Sequence, residues 1–63
     1  MDWNKIKKFN FTWGIPDGAW LEDSKGNRSW ESFKIIIQKL GELWLQRQIA
    51  RQGWMTGCWI EVV

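Results

Sequence analysis

From Ser29 to Gln52 the chain contains a single residue that disfavours a helix, Gly41. Ser29 can cap the start of such a helix, with Glu31 in its first turn. Gly53 suits its stop, and Arg47 and Arg51 complement the C-terminal end of the dipole. A helix of that length runs about 36 Å. In a chain of 63 residues it occupies more than a third of the sequence, so residues 1–63 are expected to form one domain.

On a helical wheel Phe33, Ile36, Ile37, Leu40, Leu43 and Trp44 cluster on one side, with Trp30 at the margin. This stripe is the expected core face. It ends at Arg47, Gln48 and Arg51, which are polar. Ile35, Leu45 and Ile49 form a second apolar group on the opposite side. That group is either a set of scattered aliphatics left in water, which is ordinary on a protein surface, or a contact surface for a partner; a kink at Gly41 could also turn it inward.

The remaining segments read as strands. Trp3, Phe9, Phe11 and Trp13 share one parity, while Ile6, Lys8, Asn10 and Thr12 share the other. Gly14-Ile15-Pro16-Asp17-Gly18 carries tight-turn chemistry, with a bulge expected at Gly18. Ala19–Glu22 is the return strand. Asp23–Arg28 is a polar turn that lacks the carboxylate spacing of a calcium loop. Residues 54–63 read as a final strand, with Cys58, Ile60 and Val62 facing the core. The expected fold is α+β: ββαβ, a three-stranded antiparallel sheet of order 2-1-3 with one long helix packed on one face. An alternative pairs the last strand with another chain.

Seven Trp side chains are a dense way to fill a small core. Trp3, Trp13, Trp30, Trp44 and Trp54 can be placed on or beside a single core. Trp20 and Trp59 fall on the sheet face turned away from the helix, where they either lie flat over small residues such as Gly57 and shield the sheet, or form a docking platform.

Several function classes recede. The chain has no His and one Cys, so a His- or Cys-based metal site and an intrachain disulfide are not expected. A lone Cys fits a reducing compartment, which gives a cytoplasmic expectation. The longest aliphatic run is Ile35–Ile37, and the N-terminus lacks the apolar core of a secretory leader. No membrane association and no cofactor are expected, and the start at Met1 suggests a small stand-alone protein. The carboxylates fall in turns or on exposed helix faces, and Cys58 has no His to act as its base. An enzyme is not expected.

The leading expectation is a non-enzymatic protein-binding module, in the form of a small phage or mobile-element inhibitor that occludes a partner surface. Trp20, Ile35, Leu45, Ile49 and Trp59 are its candidate contacts. A nucleic-acid-binding protein is one alternative, using Lys5, Lys7 and Lys8 beside Trp3 and Phe9, with Arg47 and Arg51. The net charge of +2 is small for that role. A homo-oligomer, in which a second copy is the partner, is the other alternative.

Overall fold

A computed structural model describes residues 1–11, 17–52 and 57–62, with the Gln52 side chain left aside. After a 3₁₀ turn at Trp3–Lys5 come β1 (Ile6–Phe11), β2 (Gly18–Asp23) and β3 (Arg28–Ser32). Helices α1 (Phe33–Leu40) and α2 (Glu42–Gln52) follow, then β4 (Ile60–Glu61). The described strands form one antiparallel sheet of order β3-β2-β1-β4. The fold is α+β as expected, and the first two strands and the last keep their expected relative order. Two features differ: the sheet has four strands, not three, and there are two helices, not one long one.

The extra strand replaces the first turn of the expected helix. Arg28–Ser32 pairs with β2 through Glu22↔Arg28, Leu21↔Ser29, Trp20↔Trp30 and Ala19↔Glu31. The loop before it is closed by the Asp23 carboxylate. That group accepts hydrogen bonds from the backbone N–H of Asp2 (3.0 Å), Lys25 (2.9 Å) and Asn27 (3.0 Å), and from Asn27 Nδ2 (3.2 Å). Gly26 takes φ +84°, a turn conformation that an L side chain resists. The helix cap therefore moves from Ser29 to Ser32, whose Oγ accepts from the N–H of Ile35 at 3.3 Å.

Gly41 ends α1 with φ +98° and ψ +154°, a backbone region essentially reserved for glycine. Its N–H still donates to the carbonyl of Ile37 at 2.8 Å. The break re-aims α2. Leu45 and Gln48 become buried and Ile49 packs on the core, while Leu43 is left 64% exposed. Ile37, also expected in the core stripe, is 40% exposed. Gln48 Nε2 donates to the Trp44 carbonyl at 3.3 Å, which supplies a partner for its amide.

The core lies between the helices and one sheet face. Phe9, Phe11, Ala19, Leu21, Ile36 and Leu45 are its buried apolar residues. Phe9 meets Phe11 and Trp44 edge-on, and Phe11 meets Phe33 in the same way. The bulge lies in β1 between Ile6 and Lys8, not at Gly18. The inserted Lys7 resets the alternation, so Ile6 joins Phe9 on the core side despite opposite sequence parity. β4 is shorter than expected, and Cys58 stands ahead of it and is exposed, not a core residue. The turn at 14–16, Trp13, Trp54 and the helix stop at Gly53 lie outside the described residues.

Candidate functional site

Strand alternation sends every second side chain to the face that the helices leave uncovered. Register then arranges them in cross-strand rows. One row runs Arg28, Glu22, Lys8, Glu61 from β3 to β4. The next runs Trp30, Trp20, Asn10. Trp59, just ahead of β4, lies over the same face, because the Arg28 guanidinium carbon stands 4.4 Å from its ring centroid. Asn10, Trp20, Arg28 and Trp59 line a shallow depression of about 260 Å³.

The parts of this face hold one another. Arg28 Nε donates to Glu22 Oε1 at 2.6 Å, which fixes the guanidinium while it rests on Trp59. Asn10 Nδ2 donates to the Gly57 carbonyl at 3.4 Å and ties the approach to β4 onto β1. Gly18 needs its missing side chain: a Cβ there would stand 2.4 Å from the Trp30 ring and 2.4 Å from the Glu31 carbonyl oxygen. Trp30 thus lies across glycine backbone, with 37% of its surface still exposed. Trp20, its cross-strand partner, is 39% exposed. The result is a flat aromatic platform with one cation held on it.

The expected contact residues divide. Trp20 and Trp59 are on this face. Ile35 is half-buried on α1. Leu45 is core, 5% exposed, and Ile49 packs against the core. The Leu45–Ile49 stripe is therefore not a free surface, because the break at Gly41 turns it inward. Of the basic residues, only Lys7 and Lys8 are brought together, with Lys25, around a depression that Glu22, Asp23 and Glu61 also line. Lys5 is in the 3₁₀ turn, Lys7 is on the bulge, Lys8 is flanked by Glu22 and Glu61, and Arg47 and Arg51 are exposed on α2.

Trp30, expected beside the core, belongs to this face, as do Arg28 and Asn10. A signal for two of them exists in the sequence. Trp20 and Trp30 stand equally far from Lys25, as do Glu22 and Arg28, which is the symmetry of a hairpin about a polar, glycine-containing turn. Among the described residues no His, Cys, Asp or Glu cluster could hold a metal, and no helix is long and apolar enough to cross a membrane. Comparison with protein families, curated proteins and solved structures finds no match for this chain.

Proposed function

We propose that this chain is a non-enzymatic protein-binding module that works through the open sheet face and acts by occluding a surface of the protein it binds. The observation that carries this reading is the gathering of Trp20, Trp30 and Trp59 with Arg28 on a face that neither helix covers. Trp and Arg are the side chains most enriched at interface hot spots. Glu22 and the Trp59 ring hold Arg28, and Trp30 lies against Gly18, before a partner arrives, which reduces the ordering cost of binding.

Charge favours a protein over a nucleic acid here. Lys8 and Arg28 on this face are matched by Glu22 and Glu61, so a phosphate backbone finds no net attraction. The test is affinity capture from the native cell with three immobilised chains: wild type, Trp20→Lys, and Leu43→Asp on the helical layer. All three should give the same folded circular dichroism. Trp20→Lys should lose the proteins that wild type and Leu43→Asp retain. Equal retention by all three rules out the open face as the binding surface.

A further inference from the structure

We infer that the partner this face fits is a second copy of the same chain, docked face to face about a two-fold axis parallel to the strands. This rests on the open face being the binding surface. The charged row reads plus, minus, plus, minus from Arg28 through Glu22 and Lys8 to Glu61. Reversed, such a row is its own complement. An axis along the strands reverses strand order and keeps each row opposite itself. It sets Arg28 against the second copy's Glu61, and Glu22 against its Lys8. Each contact then occurs twice, as an isologous interface requires.

The competing face-to-face two-fold runs across the strands. Placed between the rows, it sets the charged row over the row of Trp30, Trp20 and Asn10, so Lys8 and Glu61 gain no opposite charge from the second copy while Arg28 and Glu22 keep only each other; placed on the charged row, it sets each charge against its own copy. The charge order therefore selects the first axis. Among the described residues Arg28–Glu22 is the one ion pair, so Lys8 and Glu61 enter the contact with no ion pair of their own to break. Packing with strands nearly aligned also suits two twisted sheets. The Cα outline measures 25 × 21 Å across its two longer directions. The open sheet face fits within that outline, so covering it on both copies hides at most about 1,000 Å², the low end for a specific interface. Association should therefore depend visibly on concentration.

The experiment is light scattering and sedimentation of the whole chain from about 1 μM to about 1 mM, a range that brackets affinities of that order. Wild type should rise from 7.6 kDa toward twice that mass. Glu61→Lys and Arg28→Glu should each weaken self-association at least about tenfold, because each opposes like charges twice. An equimolar mixture of the two should restore it, because both pairs become opposite again in the mixed dimer. Circular dichroism checks each variant, and Glu61→Gln with Arg28→Gln replaces any that does not fold, with a smaller weakening expected.

A wild type that stays at 7.6 kDa throughout overturns the proposal, as does a mixture that associates no better than either variant. The two failures are separable. A monomer whose protein capture still depends on Trp20 removes only the second copy as partner. A monomer whose capture ignores Trp20 removes the binding face as well.

Discussion

The two faces of this sheet are built from alternate residues of the same strands and have opposite compositions. The covered face presents Phe9, Phe11, Ala19 and Leu21, none more than 2% exposed. The open face presents Asn10, Trp20, Trp30 and a row of four charges. The largest side chains are thus on the less buried side. Of the five described Trp residues none reaches the core cluster, and only Trp3 and Trp44 pack against it. A small two-layer fold leaves little depth for an indole, whereas Phe, Leu and Ile fill the space between one sheet and two short helices. A high Trp count in a short chain therefore need not signal a Trp core.

The strongest way to break this contrast is to put charge on each side of it. Leu45→Asp should leave no folded chain at room temperature. Leu45→Ala alone should cost about 2–5 kcal/mol, a large part of the roughly 3–9 kcal/mol expected for a domain of this size. Leu43→Asp, two residues away, should stay within about 0.5 kcal/mol. Urea unfolding followed by Trp fluorescence measures all three. Similar costs at 43 and 45 would show that α2 is not turned about Gly41 as described.

The Leu45 outcome bears on what the sequence could tell. The strand alternation of Phe9 and Phe11, the antiparallel pairing of β1 with β2 and the placement of Trp20 and Trp59 were legible, because a period of two holds wherever a strand has no bulge; the bulge at Lys7 breaks it, so the core-side place of Ile6 was not legible. The face of α2 was not, because one glycine torsion decides it. A helix continuing straight past Leu40 points Leu43 inward; φ +98° at Gly41 points Leu45 and Gln48 there instead. Ser29–Ser32 is strand and not the expected helix start for a related reason. Ser and Glu suit a helix start, but pairing with β2 and burial of Gly18 beneath Trp30 outweigh that local preference.

Two glycines test the contrast at the next level, each on one side. Gly41→Ala should cost about 1–3 kcal/mol from backbone strain alone, since nothing lies within 4 Å of the added Cβ. Gly18→Ala should cost a similar roughly 1–3 kcal/mol from crowding, with a shift in Trp emission as the Trp30 ring is displaced. The two differ in cause. Gly41→Asn should lose about as much as Gly41→Ala, because Asn tolerates the left-handed helical region and not φ +98° with ψ +154°, whereas Gly18→Val should be worse than Gly18→Ala. Melting temperatures of the four variants decide it.

Asp23 is the charged exception on the covered side, 1% exposed at the end of β2. The N–H of Asp2 does most to hold its carboxyl down, from 3.8 to about 2. Burial opposes this, and the N–H groups of Asn27 and Lys25 with the Asn27 amide reinforce it. A carboxyl with a lowered folded pKa stabilises the native state above its unfolded value. That contribution should be present at neutral pH and fade as pH falls from about 4 to about 2. Asp23→Asn should be less stable at pH 7 and should lose this acid-dependent step, while Glu22→Gln on the open face should keep it. Thermal melts at half-unit pH steps distinguish them.

The smallest effect is the most informative about the open face itself. Trp20 and Trp30 are direct cross-strand partners, and such aromatic pairs contribute about 0.2–1 kcal/mol. Trp20→Thr should therefore cost less than about 1 kcal/mol, against the roughly 3–5 kcal/mol of removing a core aromatic such as Phe9. Trp30→Thr should cost more than Trp20→Thr, because it also uncovers Gly18 and the backbone beside it. The double variant then separates the pair from the shielding. If the indoles stabilise each other, the double loss falls short of the sum of the single losses by a few tenths of a kcal/mol. If Trp30 acts only by covering Gly18, the losses add. Additive losses with a negligible cost at Trp20 would mean that folding hardly needs that indole, so its exposure on the sheet would have to be accounted for by binding.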